Sequence, residues 1–271
     1  MYAPKKNSFQ RRSIKGGQHE TTSSSFSNCA RPRGDDPRAR AGRAGSADRD
    51  YGICQTITQP GSYVLANDLT STSADCLVIT TSFVTINLAG FSISVGLPRT
   101  AILATSGTPL QGIAVRNGSI TASAGVNLDA AGGSIVEGLR VFVLGAGISA
   151  TGIVRGNAVT GGSANVPVSQ FGINASGIVT DNYVTGFGRA TGIIADGIVR
   201  GNTATNNLGG IHAGAGSTVI GNTATNNSGF GMGFGISADC PSNLTDNTAV
   251  NNHTNLVLNG DGCHNEDNVA P

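Results

Sequence analysis

The chain has 271 residues, of which 12% are charged and 5% aromatic, with 40 glycines, no tryptophan and a formal charge of +1. So little charge argues against a wholly disordered polymer. No apolar run reaches the roughly 18–20 residues that span a bilayer as a helix. The near-neutral total hides an asymmetry: residues 1–50 hold 11 of the 17 Lys and Arg against 5 acids, while the remainder holds 6 Arg, no Lys and 11 acids.

Residues 1–50 show no apolar periodicity and run through Arg31-Pro-Arg, Asp36-Pro-Arg-Ala-Arg and Ala41-Gly-Arg. They read as a disordered basic leader or arm. A basic arm is able to touch nucleic acid or an anionic wall, but no aromatic or fold motif accompanies the charge. No signal peptide is visible in this chain.

Residues 51–271 read as one domain. Ile57-Thr-Gln-Pro-Gly-Ser-Tyr-Val-Leu-Ala-Asn-Asp-Leu69 forms an opening coil, with a Pro-Gly turn and then Tyr63 and Leu65 on one side. Val84–Ile93, Gln111–Ile120 and Ser134–Val141 continue the pattern. From Gly147 a repeat becomes explicit. Gly-Ile-x-Ala recurs at Gly147, Gly172, Gly192, Gly210 and Gly235, and each copy precedes a second block ending in an asparagine. Those asparagines are Asn157, Asn182, Asn202, Asn222 and Asn247, in steps of 25, 20, 20 and 25 residues. A period in this range marks a solenoid.

Around each asparagine the pattern alternates with period two on both sides of a break. It reads as strand, turn, strand, not helix. The residue before each asparagine is Gly156, Asp181, Gly201, Gly221 or Asp246, types that tolerate a left-handed backbone. The asparagine then points inward. Coils stacked at about 4.8 Å let successive amides hydrogen-bond along a column. Ile and Ala of Gly-Ile-x-Ala also alternate inward, so each coil has three short strands around a core of Ile, Val, Ala and Asn. Gly118 and Leu139 stand where later coils have the asparagine. Arg116, Glu137 and Arg155 fall at one outward position of three consecutive coils, a pairing that favours the register.

On these motifs the chain resembles the right-handed parallel β-helix repeat proteins, the pectin-lyase-like superfold of pectate lyases, polygalacturonases and many bacterial surface proteins. The resemblance runs from about Cys54 to the C-terminus. It implies an all-β, right-handed parallel β-helix of roughly nine coils, and many chemistries share that fold.

Five cysteines are present. Cys54 and Cys76 are 22 apart and Cys240 and Cys263 are 23 apart, each about one coil, within disulfide reach on neighbouring coils. Paired, they staple the two ends and point to an oxidising compartment, and the resemblance implies an extracellular or cell-surface location of bacterial type. The alternative is a set of buried thiols. Cys29 is left over in the arm, and no spacing is a zinc motif.

In carbohydrate-active members of the fold, the resemblance implies a cleft over the first strand of each coil. That strand would carry outward acids or a Lys or Arg. Here the row reads Ser149, Asn174, Ile194, His212, Ser237 and Val257, with no carboxylate or guanidinium. The Gly-His-Gly and paired-Asp signatures of polygalacturonases are absent. The loops after the third strands are short, and only two are long enough for a wall. The expectation is a non-catalytic scaffold, with Ser149, Asn174, His212 and Ser237 as a glycan-facing row. A polysaccharide lyase or glycoside hydrolase is the alternative. Thr203/Thr205 and Thr223/Thr225 resemble an ice-binding face, interrupted by Tyr183. Asp239, Asp246, Asp261 and Asp267 are weak calcium candidates, although turn chemistry alone explains Asp246 and Asp267. No cofactor and no nucleic-acid partner are expected for the β-helix. The partner expected is a polysaccharide, and the sequence does not set the oligomeric state.

Overall fold

The structure, a computed structural model, describes residues 49–51, 53–162, 171–231 and 233–271. Residues 1–48, with Cys29, lie outside the described residues. The described residues belong to one compact unit.

They form a parallel β-solenoid of about ten coils. Each coil offers three strands, and those of the inner coils pair in parallel with their counterparts above and below. Face one carries Gln55–Ile57, Leu77–Ile79, Thr100–Ala104 and Ala124–Leu128, and later Gly209–Ala213, Phe234–Asp239 and Thr254–Asn259. Between these, Ala146–Arg155, Phe171–Thr180 and Thr191–Arg200 run continuously from face one onto face two. Face three stacks Leu69–Ser71, Ser92–Val95, Ala158–Gly161, Tyr183–Thr185, Thr203–Thr205, Thr223–Thr225 and Thr248–Val250. Coils are counted by their face-one strands, from Gln55–Ile57 as coil 1 to Thr254–Asn259 as coil 10. The stack exceeds the expected nine slightly. At one end Arg49–Tyr51 pairs with Gly61–Leu65, and at the other Thr248 bridges Val269. Among the described residues the only helical turn is Gly229–Gly231.

The repeat positions stack as like on like. Ile148, Ile173, Ile193, Ile211 and Ile236 lie in register, and each is fully buried. Each such isoleucine contributes roughly 1.5–3 kcal/mol of burial. On face three the core residue shrinks from Val141, Val159 and Val184 to Ala204, Ala224 and Ala249.

Asparagines line the interior. The Nδ2 group of Asn157 donates to Asn182 Oδ1 at 3.0 Å, and the same link repeats from Asn182 to Asn202, Asn202 to Asn222 and Asn222 to Asn247. Each is at most 2% exposed. The ladder opens where the Leu139 amide donates to Asn157 Oδ1. It runs one step further than the repeat suggested: Asn247 donates to Asn268, and Asn268 to Asn265. Before Leu139 the column is apolar. Gly118 leaves room for Leu88, whose Cβ lies 2.3 Å from where a Gly118 Cβ would stand.

A second ladder runs through the turn after face three. Asn207 donates to Asn227, Asn227 to Asn252, and Asn252 to Asn255. The preceding residues, Asn206, Asn226 and Asn251, have φ of 57°, 57° and 58°. This is the same device as at Asp181 and Asp246: a left-handed residue, then an inward amide. It also explains the glycine of Gly-Ile-x-Ala. A Cβ at Gly192 would lie 2.6 Å from Asn207 Nδ2, and one at Gly172 2.2 Å from Val184 Cγ1.

Disulfides join Cys54 to Cys76 and Cys240 to Cys263, with Cα–Cα distances of 4.4 and 4.9 Å. They tie coil 1 to coil 2 and the face-one to face-two turn of coil 9 to that of coil 10. No helix among the described residues is long and apolar enough to cross a membrane.

Candidate functional site

A strand with one side buried presents two outward positions for every five residues. On face one the first outward row is Leu103, Asn127, Ser149, Asn174, Ile194, His212, Ser237 and Val257, aligned coil on coil. It contains the expected residues in the expected order. The second outward row lies two residues further on: Asp129, Thr151, Ser176, Asp196, Gly214, Asp239 and Asn259. Three carboxylates therefore stand on the face whose first row has none. The sequence reading followed only one row: it missed Asp129 and Asp196 and took Asp239 only as a weak calcium candidate. Following the period-two pattern past the alanine of Gly-Ile-x-Ala would have found Asp196 and Asp239.

The two rows interact. The Ser149 hydroxyl donates to Asp129, and Asn259 Nδ2 donates to Ser237 Oγ at 3.1 Å and to Asp239 Oδ1 at 3.0 Å. Ser149 and Ser237 are thereby covered, at 3% and 5% exposure. The accessible surface of the strip is instead Asn174, Ile194, His212 and Val257, with the second row beside them.

Coils 6 to 9 hold the richest chemistry. His212 Nε2 lies 3.6 Å from Asp239 Oδ2. Ser176 Oγ donates to Asp196 Oδ2 at 3.3 Å. Gly214, on coil 8, leaves a notch between Asp196 and Asp239. A Cβ at Gly214 would sit 1.9 Å from Asp196 Oδ1, so the Asp196 carboxylate fills the place of the missing side chain. Asp196 and Asp239 belong to strands two coils apart, a backbone separation of about 9–10 Å, and the lean of Asp196 shortens the distance between the carboxyl groups. The opposite margin of the strip carries Phe171 and Phe234, both partly exposed. The Phe234 ring lies over Gly209, with Cζ 2.4 Å from a Cβ position there.

The other candidate positions lie elsewhere. Asp246 and Asp267 occupy left-handed turns with φ of 56° and 53°, while Asp239 belongs to face one. The four proposed calcium ligands do not converge, and among the described residues no group of three or more His, Cys, Asp or Glu is placed to hold a metal. Arg116, Glu137 and Arg155 align on face two, with N–O distances of 3.9 and 2.5 Å. They brace the register. A depression of about 370 Å³ nearby is lined by Asn117, Gly138, Arg140 and Gly156. It reflects glycines at turns. On face three Thr203/Thr205 and Thr223/Thr225 align, but Tyr183 is 45% exposed on one side of them and Val250 follows Thr225 on the other. The flat threonine array spans two coils.

Fold and strip together define a parallel β-helix protein with a polar, carboxylate-bearing long face. No family model matches the chain, and no curated protein does. Two solved structures are similar. One is XylC in complex with xylose, at 10% identity and a TM-score of 0.46, with 68% of this chain and 38% of that chain covered. The other is the A-module of the Azotobacter vinelandii mannuronan C-5 epimerase AlgE6, at 13% identity and a TM-score of 0.34, with 78% and 84% covered. The chain thus spans 38% of the XylC chain. Assignment to the parallel β-helix proteins rests on the register itself.

Proposed function

We propose that this chain is a secreted, non-catalytic β-helix that holds a polysaccharide or surface glycan along face one. The observation that carries the reading is the strip over coils 6 to 9. There Asn174 and His212 run between a margin bearing Asp196 and Asp239 and a margin bearing Phe171 and Phe234. A sugar ring offers an apolar C–H face and a rim of hydroxyls. Aromatic rings take the first, and planar amides, imidazoles and carboxylates take the second. A pyranose residue is about as long as one coil is thick, so an extended chain meets the same kind of surface coil after coil. The two disulfides support secretion. The strip is open, so binding is weak per sugar and grows with chain length. Titration calorimetry with neutral β-linked di-, tetra- and hexasaccharides tests this. Affinity rising with length is expected, and silence across the panel overturns the reading.

One observation favours a second reading, glycoside hydrolysis. Asp196 and Asp239 face each other across the Gly214 notch, and two carboxyl groups roughly 5–10 Å apart are what that reaction uses. Release of reducing ends by the wild type, abolished in both Asp196→Asn and Asp239→Asn, would establish it. An unchanged polysaccharide after prolonged incubation would leave the binding role.

A further inference from the structure

We infer that face one selects glycans by charge, taking uncharged or amine-bearing chains and rejecting uronate and sulfated ones. The inference rests on the binding role proposed above. It follows from where the solenoid keeps its charges. Along face one of coils 2 to 10, Asp196 and Asp239 stand on the strands and Asp129 immediately follows Ala124–Leu128, while no Lys or Arg lies on the face-one part of any strand. The guanidinium groups are sorted to other places. Arg116, Arg155 and Arg200 sit on face two, and Arg140 opens face three. Arg99 and Arg189 lie in turns that lead into face one, and Arg189 is already engaged by other groups.

Asp129, Asp196 and Asp239 share one row on coils 4, 7 and 9. An extended chain lying along the strip therefore passes all three. A polyuronate, with one negative charge per residue, meets them at separations of the order of a coil, inside a Debye length of about 10 Å at moderate salt. Nothing on the strands neutralises it. An uncharged chain donates hydroxyl protons to the same oxygens, and an amine-bearing chain adds charge-assisted hydrogen bonds. The His212 imidazole sits beside Asp239, within the field of that carboxylate.

The experiment titrates the full chain with three hexasaccharides of matched β-1,4 linkage and gluco configuration: a neutral glucan, a glucosamine oligomer and a glucuronate oligomer, at low and moderate salt. Expected is binding of the first two, tightest for the glucosamine oligomer at low salt, with the glucuronate at least about tenfold weaker. Raising the salt narrows the gap. A variant carrying Asp129→Asn, Asp196→Asn and Asp239→Asn narrows it too, whereas Glu137→Gln on face two, an equal change of charge per site, leaves it. Glucuronate binding as tight as the neutral glucan overturns the charge selection while leaving the glycan-binding role intact. A charge preference that survives in the triple variant also overturns it. Absence of binding to all three removes both.

Discussion

Replacing Asn202 by Asp changes one atom in the ladder and reverses its chemistry. Asn202 Nδ2 donates to Val179 O at 2.8 Å and to Asn222 Oδ1 at 3.0 Å, while its Oδ1 accepts from the Asn182 backbone N at 3.0 Å and from Asn182 Nδ2 at 2.9 Å. The site is 1% exposed. In Asn202→Asp the accepting oxygen is retained, but the donor becomes a second oxygen facing two oxygens. A proton on it serves one of them, and the other is left unmet. At about 1–3 kcal/mol for each unmet buried group, plus desolvation of the carboxylate when ionised, the loss at neutral pH is about 3 kcal/mol. For a domain of this size that lowers Tm by about 6–12 °C. Burial against oxygens raises the folded-state pKa of the new carboxyl above the roughly 3.9 of an unfolded chain. The folded variant therefore holds a proton that the unfolded chain releases. Its deficit is smallest at or below about pH 4 and grows as pH rises through the raised pKa. Thermal melts of wild type and variant at acidic and neutral pH measure both effects. A Tm within about 2 °C of wild type at pH 7, or a deficit equal at the two pH values, would refute a buried amide column.

Three further outcomes are expected. Gly192→Ala places a methyl 2.6 Å from Asn207 Nδ2 and 3.0 Å from the Gly210 carbonyl, and overpacking of this kind costs about 1–3 kcal/mol; a denaturant midpoint equal to wild type would contradict it. Reducing Cys240–Cys263 removes a cross-link across a 23-residue separation, about 3 kcal/mol in the chain-entropy model. Coils touch only their neighbours, so proteolysis should open the chain near Leu256 and Leu258 while residues 179–219 stay protected; cleavage starting in the middle would contradict that. Glu137→Gln removes an exposed pairing with Arg116 and Arg155 and should shift stability by less than about 1 kcal/mol, read from the same melts.

The solenoid was legible because its repeat is written in residues that do one thing. An asparagine following Gly or Asp on five successive coils leaves few alternatives to an inward amide after a left-handed turn. Asn268 escaped because no Thr-Ala follows it and its step is 21 residues. The second ladder escaped for a different reason: Asn206-Asn207, Asn226-Asn227 and Asn251-Asn252 read as polar loop, and an amide's burial depends on the alanines it packs beside. The strip was legible in part. Asn174 and His212 were placed by period two, but the covering of Ser149 by Asp129 and of Ser237 by Asn259 is an effect between neighbouring rows. So is the lean of Asp196 into Gly214. A single strand's pattern does not encode what the next coil's side chains do.

Whether the glycan lies on face one is decided by comparing two substitutions of equal size and charge. Asn174→Arg places a long cation at the exposed first coil of the strip, and Thr203→Arg places the same group on face three. Calorimetric titration of both variants with a neutral hexasaccharide should show binding lost in Asn174→Arg and kept at wild-type strength in Thr203→Arg. Binding retained in Asn174→Arg, or lost only in Thr203→Arg, would contradict the assignment of the face.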